Sequence, residues 1–376
     1  MRDGATAKVA KYGFVGAHSA LRPSLARLSP PQRESQKRDR MAKEMKAARE
    51  ELEAKSMKAI LVHEFGGPEV LRLEEIPTPK PAAGQVLVRV HAVGVNPYDT
   101  YMRNGSYAVK PPLPYTPGSD GAGTVEAVGT GITKVKPGDR VYMAKTVTGA
   151  YAEYAIALES QVHRLPEKAS FSQGAGVWVP YGTAYHALYH SAQAHASETV
   201  LIHGASGGVG IAGVQIARAM GLTVFGTASS QKGLDLATRE GAHVVFDHSK
   251  SGYLDEIMKA SGGRGVDIVL EMLANVNLAN DTKLLATNGR IIVIGNRGEI
   301  TINPRELMGR RASIRAFTLW ALTAAEEADV HAGLIAGLEN GTLRPVVGKE
   351  LPLAEAARAH KEILEPGAAG KIVLIP

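Results

Sequence analysis

The segment HGASGGVG, His203 to Gly210, follows an apolar run and opens a stretch compatible with a helix. Glycines at 204, 207 and 210 let the chain turn sharply, admit a diphosphate against bare backbone and allow a helix to pack closely on a sheet. A helix that starts there presents free N–H groups to the phosphates. The spacing departs from a strict GxGxxG pattern by one residue, and a glycine cluster alone is weak evidence, because any tight turn can use one. Its setting makes it a dinucleotide site, with a strand before it, a helix after it and several strands to follow.

The second strand of such a unit decides which dinucleotide is held. An NAD site usually carries Asp or Glu near the end of this strand to bind the ribose hydroxyls. Here the strand ends in Gly226, Thr227 and Ala228, followed by Ser229, Ser230, Gln231 and Lys232. No acid is present to repel a 2′-phosphate, and two hydroxyls and an ammonium are available to bind one, so NADPH is expected. Ser229 and Ser230 also suit the N-cap of the next helix, and the two roles can coexist.

These residues need a scaffold, and from Thr199 the rhythm is strand, helix, strand. The expected strands are 199–203, 223–227, 243–247, 266–272, 290–295 and 313–319, with helices such as 209–220 and 230–240 between them. That alternation predicts a doubly wound parallel sheet. Before it, MKAILVHEF suits an edge strand and QVLVRVHAVGV a buried strand with period two over Val86, Val88 and Val90. Closely spaced Gly and Pro turns then imply a barrel-like all-β unit to about residue 165. The tail returns to helices near 323–340 and 353–365 and ends in a strand at 371–375.

The chain of 376 residues has 43 Lys and Arg, 37 Asp and Glu, and no cysteine. Without thiols there is no disulfide, no iron–sulfur ligation and no thiolate zinc site. The excess charge of +6 lies within residues 1–56, leaving 30 residues of each sign in the rest, so the body has no basic surplus for nucleic acid. Residues 1–56 are expected to be a basic, disordered extension, with an acid-poor first half of the composition seen in organelle transit peptides. Met57 is the expected start of the folded body. No run is apolar and long enough for a membrane-spanning helix. The 12 histidines show no HExxH or other zinc spacing and are expected to be scattered on the surface.

GGPEVL (66–71), HAVGVNPYDTYMRNGSY (91–107), PYTPGSDGAGTVEAVG (114–129), HGASGGVG (203–210) and EMLANVNL (271–278) are similar to the medium-chain dehydrogenase/reductase superfamily. Within it the chain most resembles the zinc-free zeta-crystallin, or NADPH:quinone oxidoreductase, branch. The resemblance covers 57–376 and implies an α/β protein with two domains. One is a GroES-like β-barrel substrate domain over 57–178 and 321–376, and the other a Rossmann doubly wound parallel-sheet domain over 179–320. It also implies a homo-oligomer, tetramer or dimer. Positions that hold the catalytic metal in zinc relatives correspond to Asn96 and Ser119.

By the same resemblance, Ser206, Gly207, Gly208 and Val209 contact the cofactor diphosphate. Ser229 and Lys232 face the adenosine phosphate, and His248 lies near the adenine. Asn277 meets a ribose, Gly295 and Asn296 lie near the nicotinamide, and Thr318, Leu319 and Trp320 close over that end. The Trp stands where Phe is expected and narrows the acceptor pocket. Without a Lewis acid a simple ketone is a poor hydride acceptor, but a quinone is already electron-poor and needs only donors and a stacking distance. Tyr101 and Tyr107 are the expected catalytic donors, with Tyr101 also counted among the cofactor contacts. Asn96 orients the ring, and Tyr181 and Thr183 complete the pocket.

The implied activity is transfer of hydride or single electrons from NADPH to a small-molecule quinone acceptor, in the cytoplasm or, if 1–56 is a transit peptide, in a mitochondrion or plastid. Alternatives are an NADPH-dependent alkenal or enone reductase, and a crystallin-like structural or AU-rich RNA-binding protein with RNA as a secondary partner.

Overall fold

Six short strands, most of them rich in Val, Ile or Leu, lie side by side as one parallel sheet in a computed structural model of the chain. In spatial order they are Val244–Asp247, Thr223–Ala228, Thr199–Ile202, Val266–Glu271, Leu285–Val293 and Ser313–Ala316. Along the chain the order is 3-2-1-4-5-6, so the winding reverses beside the first strand, where an open α/β sheet binds its ligand. Thr199–Ile202 is buried at every position because helices cover both faces of the sheet. The helix Gly208–Ala219 is buried on nearly all sides, which its Gly, Ala, Val and Ile content permits.

The described residues are Ser56–Pro376 together with Arg38, Arg40, Met41 and Lys43, which are helical and exposed. The remainder of the extension expected over 1–56 lies outside them.

The second sheet has seven strands. Its path runs Val347–Pro352, Lys371–Ile375, Gln85–Gly94, Asp120–Val128, Arg140–Ala144 and Val162–Arg164, with Tyr154–Leu158 also paired to Gln85–Gly94. The C-terminal strands thus complete the N-terminal sheet. Ser56–Val62 pairs antiparallel with Leu71–Pro77 as a separate ribbon. Among the described residues no helix is long and apolar enough to cross a membrane.

Two strands differ from expectation in their bounds. The expected strand 290–295 is longer and begins at Leu285, while 313–319 stops at Ala316 and gives way to a short helical turn at Leu319–Ala321. Residues 171–191 are mostly helical, with wide π turns at Trp178–Gly182 and His186–Ser191. One apolar cluster runs from Ala92, Ala122 and Tyr142 through Trp178 and Leu188 to Ile202 and Ile268, so packing is continuous across residue 178.

The histidines are also not all on the surface. His186, His203, His331 and His360 are buried, and His331 is stacked between His163 at 3.5 Å and Trp178 at 4.6 Å. Its Nδ1 lies 2.9 Å from the Tyr142 phenol, and burial lowers its pKa to about 3. A flat neutral imidazole packs like an aromatic ring, which single-sequence spacing does not reveal.

Candidate active site

The first strand ends at Ile202 and the chain reverses at Gly204, whose φ of +59° is in the left-handed region. A side chain at Gly210 would place its Cβ 2.1 Å from the Gly204 carbonyl oxygen, so the helix can approach the turn this closely only with glycine there. The Gly204 amide donates to Thr227 Oγ1 at 3.3 Å, which ties the turn to the end of the second strand. Gly207 caps the helix and Gly208 begins it, with no side chain on the free amides of the first turn. Gly208 and Val209 therefore present backbone donors at the positive end of a helix dipole, whereas the Gly207 amide, expected to do the same, donates to the Gly204 carbonyl at 3.0 Å and closes the turn.

Ser206 sits within the same turn. It is buried, its hydroxyl donates to the Ala368 carbonyl at 2.6 Å, and its own carbonyl accepts the Gly370 amide at 2.8 Å. The hydroxyl fastens the loop before the last strand onto the glycine turn.

At the end of the second strand, Ser230 Oγ accepts the Gly233 amide at 3.2 Å and caps the helix Gln231–Glu240. That division leaves the Ser229 hydroxyl uncommitted among the described residues. Lys232 is exposed in the first turn of that helix, and among the described residues no hydrogen bond or ion pair engages it. His248 Nδ1 lies 3.2 Å from Thr227 Oγ1, and partial burial with His203 nearby holds its pKa below the usual imidazole range.

Asn277 Nδ2 donates to Glu271 Oε1 at 3.2 Å, and the Gly295 carbonyl accepts the Ala274 amide at 2.9 Å. Asn296 donates to the Gly298 carbonyl at 2.7 Å, which turns its amide along its own loop. Thr318 caps the turn Leu319–Ala321 and lies 3.5 Å from the Tyr107 hydroxyl. Leu319 is buried, while Trp320 packs on Tyr98 at 4.7 Å. Tyr98 in turn meets Tyr107 edge-on at 4.8 Å. Tyr101 accepts a hydrogen bond from Arg297 Nε at 2.9 Å. Tyr101 and Tyr107 are therefore brought together with Thr318 and Trp320 across one cleft.

Tyr98 was not expected here. Asn96 and Pro97 open a helix over Pro97–Arg103, and its period places Tyr98 and Tyr101 one turn apart, a signal that was present in the sequence.

Asn96 and Tyr181 are corrections. Asn96 is 2% exposed, and its amide donates to Asp120 Oδ2 at 3.0 Å and the Gly94 carbonyl at 3.4 Å. Its carbonyl accepts from the Lys371 ammonium, which lies 3.2 Å from Asp120, and Asp120 Oδ1 accepts the Val179 amide at 2.9 Å. Every polar atom of Asn96 is engaged, so it cannot orient a substrate ring. Tyr181 is buried with its hydroxyl on Gln215 at 2.9 Å and belongs to the core. A catalytic zinc does not fit here: an ammonium already neutralises the carboxylate, and no thiolate exists in the chain.

Residues 82–167 match the family described as alcohol dehydrogenase GroES-like domain, and 208–332 match zinc-binding dehydrogenase. A human quinone oxidoreductase is 52% identical over 323 residues, covering 85% of this chain and 98% of that protein. A mycobacterial protein complexed with NADPH superposes with a TM-score of 0.78 at 32% identity, over 85% of this chain and 100% of that one. Escherichia coli quinone oxidoreductase complexed with NADPH does so with a TM-score of 0.76 at 29% identity, again over 85% and 100%.

Proposed function

The chain belongs to the medium-chain dehydrogenase/reductase superfamily, among the quinone oxidoreductases, and from that membership we propose that it reduces quinones with NADPH and without zinc. The observation that carries this reading is the pairing of open amides at Gly208 and Val209 with an uncommitted Ser229 and Lys232 at the end of the next strand. The amides suit a diphosphate, and the hydroxyl and ammonium suit a 2′-phosphate.

When bound, NADPH supplies the reducing equivalents. The residues around it bind, orient and donate. Tyr98 and Trp320 form an aromatic wall on which a planar acceptor can stack, and the Tyr101 and Tyr107 hydroxyls supply donors as charge develops on its oxygens. Closing the cleft over the ring excludes water from that charge, which strengthens each donor.

Steady-state assays with phenanthrenequinone and with a linear alkenal test this. Turnover of the quinone is expected, and turnover of the alkenal alone would replace the reading with an enone reductase. The resemblance further suggests a homotetramer or dimer, which sedimentation would distinguish from a monomer. We propose a cytoplasmic location, or a mitochondrion or plastid if residues 1–56 act as a transit peptide, which microscopy of the full chain would distinguish.

A further inference from the structure

Three ionisable side chains that the proposed reaction does not use meet beneath the glycine turn. His203 follows the first strand, Glu271 ends the fourth, and Asp281 lies in the helix Ala274–Leu284. His203 Nε2 is 2.8 Å from Asp281 Oδ1 and 3.6 Å from Glu271 Oε2. Glu271 and Asp281 are 0% exposed and His203 is 3% exposed.

The Glu271 carboxyl faces two ways. Its Oε1 accepts the Leu273 amide and Asn277 Nδ2, and so holds the first turn of the helix that presents Asn277. Its Oε2 and the Asp281 Oδ2 are buried without a donor, although the two carboxyls lie within hydrogen-bond reach of each other. Two facing carboxylates have only acceptors, so a stable arrangement needs a proton between them. A metal ion fits less well. Zinc bonds of about 2.0–2.1 Å set tetrahedral ligand atoms about 3.3 Å apart, whereas 2.8 Å between His203 and Asp281 is a direct hydrogen bond.

We propose that His203, Asp281 and Glu271 are positioning residues for the dinucleotide: a proton shared by the two carboxyls holds Glu271, and through it Asn277, where the cofactor ribose is recognised. This rests on the reading that NADPH lies along this edge of the sheet. When the shared proton leaves, two adjacent carboxylates repel, Glu271 is displaced and Asn277 loses its anchor.

Burial raises the Glu271 pKa to about 8 and the Asp281 pKa to about 7, and lowers that of His203. Tyr253 faces the carboxyls from the helix Tyr253–Ala260, and its own pKa is raised by burial and by both of them. His248 faces His203 from beyond the third strand. Thr227 Oγ1, 3.3 Å from His203 Nδ1, has no charge to offer. A group titrating at about 8 is roughly nine-tenths protonated at about pH 7 and one-tenth at about pH 9, so Kd for the dinucleotide is expected to rise about tenfold across that range.

The test is a fluorescence titration of the full chain with NADPH and with NADH from about pH 7 to about pH 9. The wild-type rise in Kd is expected for both nucleotides, because Asn277 recognises a ribose and not the 2′-phosphate. In Glu271→Gln the amide supplies a permanent donor to Asp281 and keeps a carbonyl for Asn277, so the ratio of the two Kd values should fall to near one. Asp281→Asn should flatten the profile in the same way and serves if the first variant does not fold. A flat wild-type profile, or a full wild-type rise in both variants, overturns the positioning role while leaving NADPH binding intact. Absence of binding by the wild type at every pH would remove the functional reading and this inference together.

Discussion

Arg297 Nε donates a hydrogen bond of 2.9 Å to the phenol oxygen of Tyr101. Arg297 follows the fifth strand of the parallel sheet, whereas Tyr101 lies on the helix Pro97–Arg103 beside the barrel sheet. The bond therefore spans the cleft. It occupies one lone pair of the phenol with a cationic donor and leaves the O–H to donate to an acceptor. Tyr101→Phe is expected to lower kcat for phenanthrenequinone about a hundredfold, the lower end for a donor to developing oxyanion charge. Steady-state kinetics check this, and an unchanged kcat would mean that the phenol does not donate.

Lys232 has no protein partner among the described residues, so replacing it removes nothing from the fold. Lys232→Ala should weaken NADPH about ten- to hundredfold, as expected for a lost charge-assisted bond, and leave NADH almost unaffected. Isothermal titration with both nucleotides measures the difference. Equal losses for the two would contradict the assignment of the 2′-phosphate.

Trp320 lies against Tyr98, which lies against Tyr107. Trp320→Ala should raise KM for a planar aromatic quinone several-fold, since one such aromatic contact is worth about 0.5–1.5 kcal/mol. The loss should be smaller for a compact benzoquinone. A comparison of KM across quinones of different size resolves this, and uniform loss would assign Trp320 to folding instead of acceptor selection.

Stability should fall between about pH 6.5 and about pH 8. Asp99 and Asp281 hold their protons to about 7 and Glu271 to about 8 in the folded chain, against ordinary values of 3.8 for Asp and 4.5 for Glu. Carboxyls with raised folded-state values stabilise the fold fully below their unfolded values, and lose that contribution as pH climbs through the folded ones. Each is worth up to about 1.4 kcal/mol per pH unit while it titrates. The buried histidines act at the other end: His163 at about 4, His331 at about 3 and His360 at about 3 stay neutral when folded, so their contribution is lost below about 6.5. Thermal melts across pH should show Tm lower at about 8 than at about 6.5, with a smaller drop in Glu271→Gln.

The parallel sheet was legible because each buried strand is a Val and Ile run closed by a turn residue, and the last strand, Lys371–Ile375, has the bounds expected. The glycine turn was legible for the same reason, since local backbone geometry dictates its residues. Partnering was not legible. Asn96 finds Lys371, Ser206 finds Ala368 and Tyr181 finds Gln215 across separations of 275, 162 and 34 residues. A polar side chain looks available for chemistry until the fold supplies its partner, and each of these three side chains has one. Burial hid the histidines likewise, because nothing local marks an imidazole that will be stacked between rings.

Quinone-dependent oxidation of NADPH in the presence of a strong chelator tests the central claim most directly. Turnover of phenanthrenequinone that is unchanged by EDTA, and faster with NADPH than with NADH, is the expected result. Turnover that disappears with EDTA and returns with added zinc, or no oxidation of either nucleotide, would contradict it.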